Sequence, residues 1–179
     1  TLLGGCAAAV IGAGTTGVAV AHDSRTTGSI IEDQAIELKA AQALYEQPEL
    51  DDQVHINVTS YNQIVLVTGE APTEAQREAV IDLVRHVEKV RHVYDEITIA
   101  APSSLMARSA DSLITAKVKT RLLALSGFDG TRVKVVTEKG VVYLMGLLSR
   151  EEADRVAEEA RTVGGVQKVV KLFEYPSAG

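Results

Sequence analysis

From about residue 33 onward the chain is one unit written twice, and a repeat of this length limits the fold before any single motif is read. In the first copy a helical stretch over 33–45 leads to a β-branched, alternating hairpin over 55–69; in the second, 111–125 leads to 132–146. The two hairpins superpose at an offset of 77 without a gap. Each has a turn at Tyr61-Asn62-Gln63 or Glu138-Lys139-Gly140, a more apolar second strand that suits a central position, and a closing glycine, Gly69 or Gly146. A helix follows in each copy. Thr73 with Gln76, and Ser149 with Glu152, fit the S/T-x-x-E/Q capping box. Behind those caps Ala79, Val80, Leu83, Val84 and Val87, and later Val156, Ala160 and Val163, recur at helical spacing and predict the buried faces. Strands over 93–99 and 169–175 complete the order α-β-β-α-β, twice.

That order predicts an α+β chain of two tandem domains. In each, the hairpin and the final strand form a three-stranded mixed sheet, because the β-α-β connection crosses over one face, and both helices cover that face. The domains are expected at 33–99 and 111–175, with 100–110 as linker and 176–179 as tail. Pro102 ends the strand before the linker. Domains of about 65 residues are marginal alone, so the copies are expected to pack together or against something else.

Composition narrows the function classes. A chain of 179 residues is short for a catalyst with a separate cofactor domain, and 46% hydrophobic with 23% charged residues disfavours disorder and a polytopic membrane protein. Aromatics at 4%, no Trp and a formal charge of -6 point away from nucleic acid. The one cysteine, Cys6, has no partner for an internal disulfide, and the four histidines lack zinc spacing. His86 and His92 do not share a helix face, Glu49, Asp51 and Asp52 lack the EF-hand spacing, and Asn57-Val58-Thr59 reads as sheet pairing. No nucleophile with a paired base is visible, so neither an enzyme, a metal site nor a cofactor is expected.

The amino terminus carries a different signal. No charged residue occurs over 2–21, about the length of a membrane-spanning helix, but Gly4, Gly5, Gly12, Gly14 and Gly17 and abundant alanine specify such a helix poorly. Leu3-Gly4-Gly5-Cys6 resembles a bacterial lipobox, in which the cysteine becomes the acylated first residue. On that reading 1–5 is a signal-peptide remnant, Cys6 the lipidation site, and 6–32 a lipid anchor and Ala/Gly-rich tether. Ala7 after the cysteine implies outer-membrane retention. The run Gly12-Ala13-Gly14-Thr15-Thr16-Gly17 also spells the G-x-G-x-x-G dinucleotide fingerprint. That reading requires an acidic residue ending a second strand, and Glu32 and Asp33 open an amphipathic helix instead.

The V-x-V strand, the apolar strand ending in glycine, and Gly165-Val166-Gln167-Lys168-Val169 before the last strand resemble the BON domain. The first copy has Lys89-Val90-Arg91-His92-Val93, without the glycine. A lipobox, a tether and two such units resemble the dual-BON outer-membrane lipoproteins, with support from Ile56-Asn57-Val58-Thr59, Ile114-Thr115-Ala116-Lys117-Val118 and Tyr143-Leu144-Met145-Gly146-Leu147. The resemblance implies a non-enzymatic, periplasm-facing lipoprotein. It would bind anionic phospholipids such as phosphatidylglycerol or cardiolipin, support outer-membrane integrity, and meet outer-membrane assembly or division proteins. It also places the lipid face on the first helix of the second unit, where Leu113 stands in place of an expected aromatic residue.

Charge counting is consistent with that placement. Residues 33–99 hold 5 basic and 13 acidic side chains, whereas 111–175 hold 11 and 9. Lys117, Lys119, Arg121, Arg132, Lys134 and Lys139 supply the local excess, each worth about 1 kcal/mol near anionic headgroups. On a helical wheel Ile114, Val118, Leu122 and Leu125 form the buried stripe, leaving Leu113, Ala116, Lys117 and Thr120, with Arg121 beside them, as the expected lipid face. Lys119 points away from it. The rival expectation is a homo-oligomer, a ring or cluster in the cell envelope, built through 7–21 and the first unit, with Gly12, Gly14 and Gly17 suited to close helix packing.

Overall fold

The computed structural model describes residues 27–176. Cys6, the glycine fingerprint and residues 177–179 lie outside the described residues. The first unit comprises α1 (Thr27–Tyr45), the single-turn α2 (Pro48–Asp51), β1 (His55–Tyr61), β2 (Ile64–Ala71), α3 (Glu74–Arg85) and β3 (His92–Ile99). The second comprises α4 (Leu105–Leu123), β4 (Lys134–Glu138), β5 (Val141–Leu147), α5 (Arg150–Arg161) and β6 (Lys168–Glu174). Each unit holds a sheet of three strands in the order β1-β2-β3 or β4-β5-β6. The hairpin pairs are antiparallel and the crossover pairs β2–β3 and β5–β6 parallel. The chain is therefore α+β with two mixed sheets, as the repeat predicts.

Local chemistry explains the elements. Thr73 accepts the Gln76 N–H at the start of α3, and Ser149 and Glu152 close a complete capping box at α5. At the hairpin turns, Asn62 and Gln63 have φ of 52° and 65°, and Lys139 and Gly140 have 49° and 74°. Two successive left-handed residues are what a tight two-residue turn needs to follow the strand twist. Buried carboxylates hold both turns. Asp33 accepts the N–H groups of Asn62 and Gln63 at 2.7 and 2.8 Å, and Asp111 accepts those of Lys139 and Gly140, both at 2.8 Å. Gly69 is required for closeness: its φ is 122°, and a Cβ there would collide with the His55 carbonyl.

Several boundaries differ from the sequence expectation. α1 takes residues 27–32 from the expected tether, and α4 takes 105–110 from the expected linker. Asp33 and Asp111, the expected starts of these helices, both sit inside a helix and turn inward, 2% and 9% exposed. Ser104 supplies the N-cap of α4, accepting the Ala107 N–H. Arg132 lies in a 3-10 turn, Gly130–Arg132, so β4 begins at Lys134. Ala79 is exposed, and Ile81 takes its place in the core beside Val80 and Val84.

Three apolar clusters hold the chain. Ile36, Ala40 and Leu44 of α1 and Val80, Ile81 and Val84 of α3 pack on Val65 and Val67 of β2. Ile114, Val118 and Leu122 of α4 and Val156 and Ala160 of α5 do the same on Val142 and Leu144 of β5. The third cluster joins the units. Tyr61 and Leu66 meet Tyr143, Met145 and Leu172 through the sheet faces that carry no helices. Alternate residues of the central strands thus serve opposite faces, which is why both read as continuous apolar runs. The result is four layers, helices outside and two sheets within.

Polar contacts stitch the rim of the sheet-to-sheet contact. Lys134 Nζ lies 2.6 Å from Glu37 Oε1 and donates to the Ser60 carbonyl at 3.1 Å. Asn62 Nδ2 donates to Glu174 at 2.6 Å, where Arg91 also reaches at 3.1 Å. Tyr143 donates its hydroxyl to Glu96 at 3.2 Å, and Tyr61 donates to the Arg132 carbonyl at the same distance. Lys139 Nζ stands 3.2 Å from Glu70, whose side chain is wholly buried. The acidic first unit therefore meets the basic second one directly.

Candidate functional site

The candidate site is built on α4. Ile114, Val118 and Leu122, one helical turn apart, pin its inner side to the second core. That stripe leaves Leu113, Ala116, Lys117, Thr120 and Arg121 exposed on the outer side, as the helical wheel predicts. Together with Ala124 and with Thr162 and Val163 after α5, these five line an open groove of about 640 Å³. Leu113 is 63% exposed at its lip. Thr162 and Val163 were not expected there. Val163 carries a helix-core signature in the sequence, yet it is only partly buried and borders the groove.

Electrostatics on this face differ from the sequence count. Four of the six cations are held by carboxylates: Arg121 by Glu159 at 2.7 Å, Arg132 by Glu152 at 2.6 Å, Lys134 by Glu37 at 2.6 Å and Lys139 by Glu70 at 3.2 Å. The last two neutralise the first unit rather than face outward. Among the described residues Lys117 and Lys119 make no ion pair. Lys119 lies towards the first unit, near Ile30, Gln34 and Tyr61, and so is off the groove as expected. Lys117 is thus the unpaired cation of the groove, with Arg121 tethered beside it. Asp111, the acid of α4, is turned into the turn-holding contact, so the exposed side of the helix carries no carboxylate.

A second cleft lies between the units, about 280 Å³ and polar, bordered by His55 and Asn57 of β1, Arg108 and Ser112 of α4, and Thr137 and Glu138 of β4. Arg108 Nη1 is 3.3 Å from His55 Nδ1, and burial together with that guanidinium lowers the imidazole pKa. Burial first, then the neighbouring Glu70 and Asp111 charges, raises the Glu138 pKa. No group of His, Cys, Asp or Glu suited to a metal ion occurs among the described residues. None of the described helices is long and apolar enough to cross a membrane.

Comparison with known proteins agrees with this architecture. The BON domain model matches residues 32–101 and again 110–177. The outer membrane lipoprotein DolP of Haemophilus influenzae is 36% identical over 173 residues, spanning 97% of this chain and 90% of that protein. The 21 kDa hemolysin of Actinobacillus pleuropneumoniae is 40% identical over 153 residues, 86% of this chain and 79% of its own length. The osmotically-inducible protein Y of Escherichia coli is 30% identical over 158 residues, 87% of this chain and 78% of that one. With the family model matching both halves, and both halves folding as α-β-β-α-β, this chain belongs to the BON family and carries two BON domains in tandem.

Proposed function

We propose that this protein is a non-enzymatic cell-envelope lipoprotein, held at the periplasmic face of the outer membrane through Cys6, whose second BON domain docks on anionic phospholipid. The observation that carries this reading is the outer side of α4. Leu113 stands exposed over an apolar groove, Lys117 is unpaired beside it, and α4 itself presents no exposed carboxylate to an anionic headgroup, while Glu159 of α5 is held by Arg121. A partly inserted apolar side chain next to a cation is the arrangement an interfacial helix uses. The name of the Haemophilus relative, an outer membrane lipoprotein, supports the location. Maintenance of the outer membrane, including at the division site, is the role this attachment would serve.

Vesicle sedimentation tests the reading. The unacylated Cys6→Ser chain is expected to sediment with vesicles rich in phosphatidylglycerol or cardiolipin, to bind phosphatidylcholine vesicles poorly, and to be released by salt. The double variant Leu113→Asp/Lys117→Glu is expected to stay in the supernatant. Undiminished sedimentation of that variant would overturn the assigned face.

A second reading rests on α1. Ile31, Leu38 and Tyr45, spaced by seven, are 61%, 72% and 76% exposed along one side of the helix. The acids flanking this side, Glu32 and Glu37, are held by Lys89 and Lys134, and the cation beside Leu38, Lys39, is held by Glu88. No unpaired cation therefore borders it, and it suits a protein surface, a second copy or another envelope protein, better than an anionic bilayer. Light scattering decides: a self-associating chain loses mass on Leu38→Asp, and a monomeric wild type removes the second-copy form of this reading.

A further inference from the structure

The part of α4 ahead of Asp111 lies where a linker was expected, and it carries Leu105 and Met106, 75% and 84% exposed. The BON match to the second unit begins only at residue 110, so both residues stand outside the matched domain. This segment is nevertheless fixed. Ser104 caps it, and Arg108 on its inner side reaches His55 of the first unit at 3.3 Å. Its outer side is therefore presented in a set direction.

That direction matches the groove. An advance of about 100° per residue brings Met106, after two turns, to within about 20° of Leu113 and about 10 Å from it along the axis. The same line continues through Lys117 and Thr120 to Ala124, a stripe of about 27 Å. Among the exposed large apolar residues of the described chain, those on α1 have acids as neighbours. Those on α4 have the unpaired Lys117 in line with them and no exposed acid on that helix, Lys119 facing the first unit and Arg121 being held by Glu159. Exposed apolar side chains in line with an unpaired cation fit insertion into an anionic lipid surface, which is the occupant assigned to this stripe.

We propose that α4 lies flat along an anionic bilayer and that Met106, ahead of the domain proper, is a second insertion point beside Leu113. This rests on the docking reading above and fixes its orientation: contact is made along the whole helix rather than at the groove lip alone. The helical linker then belongs to the membrane surface, and because Arg108 ties it to β1, docking also sets the tilt of the first domain.

The absence of Trp from the chain gives a clean test. Single variants Met106→Trp, Leu113→Trp and Leu38→Trp are made in the otherwise full chain and mixed with phosphatidylglycerol vesicles containing brominated acyl chains. Quenching is expected for the first two and not for the third. A bound protein in which Leu113→Trp is quenched and Met106→Trp is not would overturn the flat orientation while leaving the docking reading intact. Loss of vesicle binding and of quenching at both positions would overturn both. Quenching at Leu38→Trp would also overturn the orientation, since Leu38 lies on the exposed side of α1 and not on the α4 stripe. As an independent measure, Met106→Asp is expected to weaken vesicle binding about tenfold with an unchanged circular dichroism spectrum; unchanged affinity would remove Met106 from the interface.

Discussion

Asp33 and Asp111 hold equivalent places in the two repeats, each a buried helical carboxylate that accepts two backbone N–H groups from the hairpin turn of its own unit. Asp33 also accepts the Ser60 hydroxyl at 2.7 Å. The turns require left-handed backbone at non-glycine residues, which is unfavourable, and the charge-assisted bonds offset that strain. Removing either carboxylate leaves two turn amides without their acceptor. Asp33→Ala and Asp111→Ala are each expected to lower unfolding free energy by about 2–4 kcal/mol, measured by urea denaturation. Asp111→Asn should recover little, because its amide nitrogen is a donor facing a donor.

The ion pair between Lys139 and Glu70 predicts a larger loss from one partner than from both. Glu70 has no exposed surface, whereas Lys139 is 40% exposed. Lys139→Ala strands a buried carboxylate and is expected to cost about 3–5 kcal/mol. Adding Glu70→Gln should restore a large part of that loss, because the neutral amide is cheaper to bury. A double-mutant cycle by chemical denaturation reads this directly, and additive losses would show that the two groups do not communicate.

Glu138 predicts the pH dependence of the contact between the units. Its folded pKa is raised by burial and by the Glu70 and Asp111 charges, so the folded state prefers the protonated form. The stability this contributes is fully present below the unfolded pKa and is lost as pH rises through the folded one. Glu138→Gln keeps the neutral character at every pH. The variant is therefore expected to melt above wild type at neutral pH, with the gap closing as pH falls to about 4. A gap that widens in acid would contradict the assignment.

Much of this architecture was legible because repeats and capping boxes are local signals. The strand order, the central places of β2 and β5, and the outward position of Leu113, Ala116, Lys117 and Thr120 on α4 follow from period and offset, whereas the choice of that helix as a lipid face came from the family resemblance. What sequence could not display was the destination of charges. Lys134 and Lys139 read as surface cations, yet their carboxylate partners lie 97 residues away for Lys134 and in the other repeat for Lys139. The helix starts were hidden for a related reason: the turn amides that Asp33 and Asp111 hold from inside their helices are brought near only by the fold. Lys89 shows a third limit. It stands where the second copy has Gly165, and it adopts the same left-handed backbone, φ 71° against 104°, so the missing glycine changes the residue and not the turn.

The pairing of Arg121 with Glu159 yields a prediction about affinity. Glu159 holds the guanidinium at 2.7 Å beside the groove, so Arg121 brings a partly neutralised charge to a lipid surface while Lys117 brings a whole one. At about 1 kcal/mol per free cation, Lys117→Gln should weaken binding to phosphatidylglycerol vesicles about fivefold. Arg121→Gln should weaken it less. Glu159→Gln releases the guanidinium, removes a carboxylate from the groove edge, and is expected to tighten binding, with a steeper dependence on salt. Titration of the three variants with vesicles at low and moderate ionic strength measures the order, and a Glu159→Gln protein that binds no better than wild type would mean that Arg121 does not face the headgroups.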